Sequence, residues 1–160
     1  MHKLYCEKSE LSIGQLYLLD ICDKRKITEF WNTQLNQEFT VGYLMKVATG
    51  KYQIPSLKFI YSMLKFLAPT DWFYRETEGS KSASVPQGEY VTDITKSVNY
   101  KKLQKLHDER LLNKFCVENF GNKSRYYQVN FLHFLSGRNK LSPNTIKELD
   151  NLFPIADWFN

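Results

Sequence analysis

With 160 residues, 42% of them hydrophobic and 15% aromatic, the chain can build one domain of ordinary size or two small ones. Its three cysteines, Cys6, Cys22 and Cys116, fit neither a disulfide framework nor a C-x-x-C metal knuckle. With no apolar run near 18 residues and no signal-like N-terminus, the expectation is a reduced, cytoplasmic protein with no membrane partner. The net charge of +5 is spread over both halves: ten Lys/Arg against eight Asp/Glu up to Glu76, and twelve against nine beyond it. Mild positive charge permits a polyanionic partner without demanding one.

Hydrophobic spacing predicts helices almost throughout. Leu11, Gln15, Leu18, Leu19 and Cys22 mark one face of a first helix, with Ser9 or Ser12 as its N-cap. Thr28 is expected to cap a second helix running through Leu35. Thr40 is expected to cap a third that turns Tyr43, Leu44 and Val47 inward, with Gly50 in the left-handed position at its end. Ser56 opens a fourth, carrying Phe59, Ile60, Met63, Leu64 and Leu67 up to the stop at Pro69.

From Glu76 to Glu89 the pattern lapses into Ser, Gly and Pro, which reads as a linker. Residues Tyr90–Ile94 read either as a short extended piece or as linker docked on a domain. Four further helices are expected at Val98–His107, Leu111–Phe120, Gln128–Leu135 and Pro143–Phe153, the last with Ser142 as N-cap and Pro143 in its first turn.

The two halves repeat one another. At an offset of 86 residues, Ser56 falls on Ser142, Ile60 on Ile146, Met63 on Leu149, and Asp71-Trp72-Phe73 on Asp157-Trp158-Phe159. Thr49-Gly50-Lys51 matches Ser136-Gly137-Arg138 at an offset of 87. A period this long belongs to a duplicated small domain, not to a solenoid. The expected organisation is all-α: a domain at 1–76, a linker at 77–96, and a second domain at 97–160.

The repeated unit resembles the Cro/cI-type helix-turn-helix domain of phage repressors. Ile27-Thr28-Glu29-Phe30-Trp31 resembles the start of that family's second helix. Phe39 to Lys51, with the helix-ending Gly50, resembles its turn and recognition helix, and Gln128 to Pro143 resembles it more closely. The turn departs from the family: it is longer by about one residue in the first copy and about four in the second, across Gly121–Tyr127. The resemblance implies two tandem, lambda-repressor-like domains of four to five helices, nucleoid-associated and bound to double-stranded DNA.

A recognition helix lies in the major groove with polar side chains near its N-terminus on base edges, while basic groups and hydroxyls hold phosphates. The resemblance therefore points to Gln128, Asn130 and His133 as readers in the second copy. Arg138, Asn139 and Lys140 lie just after the helix, where a phosphate would be gripped, and Lys123 and Arg125 extend the basic stretch around it. In the first copy the matching face, Val41, Gly42, Met45 and Lys46, is poor in base-reading groups. There Thr40, Tyr43, Lys51 and Tyr52 are expected to hold the backbone and Lys46 to add a charge to the reading face, although Tyr43 also suits the core.

No phosphate loop, H-E-x-x-H or G-x-S-x-G occurs, and His107-Asp108-Glu109 is better read as a helix end than as an acid–base centre. No enzyme, cofactor or metal is expected. A homodimer would suit the resemblance. The competing reading is a protein-interaction module, an inhibitor of a regulator or defence protein, whose helix-turn-helix domains have lost DNA reading.

Overall fold

Ser12 and Ser97 begin the two halves in the same way, each satisfying a free amide at a helix start. Ser12 Oγ accepts from Gln15 N at 3.2 Å, and Ser97 Oγ accepts from Tyr100 N at 3.2 Å. These caps belong to a computed structural model that describes residues 2–78 and 90–160. The chain divides into two compact units, Met1–Gly88 and Glu89–Asn160. Among the described residues both are built from helices and turns, with no β-strand.

The first unit contains α1 (Ile13–Asp23), α2 (Ile27–Thr33), α3 (Val41–Ala48) and α4 (Leu57–Ser62), then a 3-10 turn at Pro69–Trp72. The predicted face of α1 is the buried one: Gln15, Leu18, Leu19 and Cys22 point inward, beneath buried Leu11. Gln15 is buried because it has work for its amide: Nε2 donates to Val47 O at 3.0 Å and Tyr52 O at 2.8 Å, tying α1 to the end of α3. Trp72 closes the unit. Its ring meets Phe59 edge-on at 5.3 Å and lies so close to Gly14 that a Cβ there would sit 2.4 Å from it.

The second unit follows the same order with α5 (Val98–Asp108), α6 (Leu112–Phe120), α7 (Ser124–Leu135), α8 (Pro143–Glu148) and a 3-10 turn at Ile155–Trp158. Where Gln15 bridges α1 and α3, Tyr100 donates its hydroxyl to Leu135 O at 3.3 Å. Where Gly14 admits the closing indole, buried Asn99 donates to Pro154 O at 2.8 Å. Trp158 is fully buried against Phe134 and Phe153. Residues ahead of α5 are held on this unit: Val91 N donates to Phe159 O at 2.8 Å, and Ile94–Lys96 form a 3-10 turn. Most of the expected linker, residues 79–89, lies outside the described residues.

Several element boundaries differ from the sequence expectation. Thr28 does not cap α2; it lies within the helix, whose N-cap is Lys26. The displacement follows from Arg25 in the left-handed region (φ 57), which returns the chain at once after α1. Arg110 does the same after α5 (φ 59). At both places an i to i−5 bond closes the helix end, Lys26 N to Ile21 O at 3.0 Å and Leu111 N to Leu106 O at 2.8 Å. Helices α4 and α8 stop at Ser62 and Glu148, short of Leu67 and Phe153. Their last predicted turns mix i to i−3 and i to i−4 bonds on one carbonyl: Met63 O accepts from Phe66 N at 2.9 Å and Leu67 N at 3.0 Å, and Leu149 O from Leu152 N at 3.0 Å and Phe153 N at 2.8 Å.

The glycines that end α3 and α7 have the same backbone and different neighbours. Gly50 (φ 82) would place a Cβ 2.7 Å from Cys6 Sγ and 3.0 Å from Leu11 Cδ2, whereas Gly137 (φ 80) has nothing within 4 Å. Gly137→Ala is expected to cost only the left-handed backbone penalty, about 1–2 kcal/mol. Gly50→Ala adds overpacking of about 1–3 kcal/mol. Denaturant unfolding of the two variants measures the difference.

Candidate nucleic-acid interface

Helix α7 is the longest among the described residues, and its two sides differ sharply in character. Phe131 and Phe134 are buried, and Tyr127 stacks on Phe120 at a centroid distance of 4.0 Å with the planes 18° apart. At 100° per residue, the opposite side carries Arg125, Val129, Leu132 and His133, with Tyr126 toward its edge. Tyr126 is 65% exposed and Val129 41%, while His133 is half-buried.

The expected start of this helix at Gln128 is corrected by four residues. Residues 121–123 form a 3-10 turn and α7 begins at Ser124, so the expected long turn is mostly helix. The cause is the aromatic spacing: Tyr127, Phe131 and Phe134 need one helical face to reach the core together. Gln128 and Asn130 consequently stand in mid-helix, half-buried on the flanks of the outward side. Tyr126 and Val129 were missed as surface groups for the same reason. The i, i+4, i+7 spacing of Tyr127, Phe131 and Phe134 was the signal that would have found them.

Basic groups border this helix at both ends. Lys123 and Arg125 are exposed at its start, and Arg138, Asn139 and Lys140 are exposed in the loop that follows Gly137. None of the four cations pairs with a carboxylate among the described residues. Lys105 and Lys114, on the neighbouring helices, do pair, with Glu109 and Glu118 at 3.9 Å. Lys96, Lys101, Arg110 and Lys147 are unpaired too, so the four are distinguished by their clustering around one helix.

The loop after α7 is ordered by His133. Its carbonyl accepts from Arg138 N at 2.9 Å and from Ser136 Oγ at 3.0 Å, and Asn139 Nδ2 lies 3.5 Å from its ring Nδ1. A groove of about 300 Å³ runs beside it, with Asn130, Asn139, Lys140 and Glu148 among its lining groups. Burial and the adjoining Glu148 carboxylate push the Tyr127 hydroxyl above its usual range.

In the first unit the expected backbone-holding residues are brought together, but two hydroxyls already have structural roles. Thr40 Oγ1 accepts from Tyr43 N at 3.0 Å as the cap of α3. The Tyr43 hydroxyl accepts from Ser56 N at 3.0 Å, joining α3 to the start of α4, and its ring packs against Phe39, Tyr52 and Phe59. Lys46 Nζ stands 5.9 Å from the Tyr52 ring and Lys51 Nζ 5.6 Å from the Tyr5 ring. Gly42 is exposed between half-buried Val41 and Tyr43.

Among the described residues no three His, Cys, Asp or Glu side chains converge to hold a metal ion. Burial pushes the thiols of Cys22 and Cys116 up to about 11, so they stay protonated at neutral pH. In the His107-Asp108-Glu109 triplet, Asp108 accepts from Gln104 at 2.9 Å and Glu109 pairs with Lys105. Each carboxylate is thus engaged along its own helix. In comparisons with known proteins, the chain matches no protein-family profile, no curated protein and no solved structure.

Tyr43→Phe removes one hydroxyl and leaves the Ser56 amide without that acceptor. It is expected to lower stability by about 0.5–1.5 kcal/mol. A denaturant series on this variant checks that; no change would show that the hydroxyl adds nothing to the packing of the ring.

Proposed function

We propose that the chain is a sequence-specific, double-stranded DNA-binding regulator of the phage or mobile-element type, built from two tandem helix-turn-helix domains. The observation that carries this reading is the outward side of α7 with its four unpaired cations. A positive rim favours phosphate contact, and a helix fits the width of the major groove, where its polar and apolar side chains can both meet base edges. The resemblance to Cro/cI-type domains supports it, with α2–α3 and α6–α7 as the two helix pairs.

In this reading Lys123, Arg138, Asn139 and Lys140 hold phosphates. Arg125 and His133 offer hydrogen bonds to base edges, and Val129 offers an apolar contact to a thymine methyl. Gln128 and Asn130 approach from the flanks, where their amides suit adenine. The first unit offers Lys46 and Lys51 to the backbone and little to the bases. The two half-sites are accordingly unequal, and the second unit dominates specificity. The competing protein-interaction reading draws on one feature, the exposed Gly42 among apolar neighbours on α3, which leaves no donor or acceptor where a base would be read.

The test is selection of duplexes from a random pool, followed by salt titration of the best binder. Lys123→Ala and Lys140→Ala should each lower the slope of log K against log salt by about 1 without changing sequence preference. Arg125→Ala should weaken binding by about 1–3 kcal/mol and relax preference at one position. Failure of every duplex to bind more tightly than random DNA at low salt would transfer the assignment to a protein partner.

A further inference from the structure

The surface of the first unit that is poor in base-reading groups is rich in something else. Phe39 and Tyr43 stack at 5.6 Å with planes 21° apart, and Tyr43 meets Tyr52 at 5.7 Å. Lysines stand against these rings and their neighbour: Lys58 is 5.9 Å from Phe39, Lys46 5.9 Å from Tyr52, and Lys51 5.6 Å from Tyr5. Toward the core the row is anchored, because the Tyr43 hydroxyl is held by Ser56 and Phe39 meets buried Phe59 edge-on at 5.1 Å. Tyr52, at the outer end of the row, is 40% exposed, and Tyr5, whose N donates to Thr49 O at 2.9 Å at the end of α3, is 60% exposed.

Core packing accounts for Phe39 and Tyr43 and leaves Tyr5 and Tyr52 unaccounted for. Exposed rings alternating with cations are the equipment of a surface for unpaired bases, because every base has a face to stack and every linkage a phosphate to neutralise. A duplex hides its base faces and cannot use such rings. We propose that the Tyr5–Lys51 and Tyr52–Lys46 pairs form a binding site for single-stranded nucleic acid, additional to the duplex-binding side of the second unit. Glu38 neutralises Lys58 at 3.5 Å, so the site centres on Lys46 and Lys51. Glu7 and Glu10 act on Cys6, the neighbour of Tyr5 in sequence, and set the acidic limit of the site on that side. Two ring–cation pairs supply contacts for a few nucleotides and no hydrogen-bond reading of bases, so binding is expected to be short in span and tolerant of sequence.

The experiment is fluorescence anisotropy of the full chain with labelled, unstructured 12-nucleotide DNA and RNA and with a labelled 12-base-pair duplex. Both single strands should bind more tightly than a random duplex of equal length; preference for one of them assigns the sugar. Tyr52→Leu and Tyr5→Leu should each weaken strand binding about tenfold, while Tyr→Phe at the same positions retains it. The leucine variants should leave duplex binding through α7 unchanged, and Arg125→Ala should leave strand binding unchanged. These arms separate failure of this site from failure of the duplex reading. Equal strand affinity in the leucine variants and the unaltered chain would overturn the proposal. So would strand binding no tighter than random duplex binding.

Discussion

Each unit depends on one indole ring set into its floor. Trp72 and Trp158 arrive on 3-10 turns at the end of their units and are at most 1% exposed. Burying a ring of this size contributes roughly 4–6 kcal/mol, from about 150–250 Å² at about 25 cal/mol per Å². The cost is visible in the same place: neither indole N–H has a hydrogen-bond partner among the described residues. An orphaned buried donor costs about 1–3 kcal/mol, so the ring's volume outweighs its polarity. Gly14 exists to let Trp72 in, and Asn99 on the other unit bridges to Pro154, beside the turn that carries Trp158.

Around that anchor the two units solve the same problems with different atoms. The first helix is tied to the end of the third by a glutamine amide in one and a tyrosine hydroxyl in the other. The return after the first helix uses a left-handed arginine in both, and the return after the third a left-handed glycine in both. The outer surfaces share no such pattern. One offers a ring–lysine row beside α3, and the other offers Arg125, Tyr126, Val129 and His133 on α7. A common scaffold with unlike surfaces suits unlike contacts, and the proposed duplex reading and the proposed strand site each rest on the chemistry of their own surface.

Much of the scaffold was legible in the sequence because it rests on local rules. The serine caps at Ser12, Ser56 and Ser142, the left-handed Gly50 and the buried face of α1 all follow from short-range patterns. Thr28 misled because its capping chemistry was overruled by the arginine-led return three residues earlier, and arginine carries no sequence signal for a left-handed backbone. The start of α7 misled for a different reason. Gly121 suggested a long turn, while the decisive constraint was the packing of Tyr127 and Phe131 on Phe120, of Phe131 on Phe153 and of Phe134 on Trp158, contacts whose partners lie on other elements. That four-residue difference decides which side chains face outward, so the candidate site was less legible than the fold that carries it.

The central claim is that α7 presents Arg125, Tyr126, Val129 and His133 to duplex DNA. Its most direct test is a titration of isotope-labelled protein with a selected duplex, followed by amide chemical shifts. The shifts should concentrate at residues 123–129, His133 and 138–140, with the amides around Trp72 and Trp158 undisturbed. Perturbations that fall elsewhere, or a spectrum unchanged by saturating duplex, would contradict the claim.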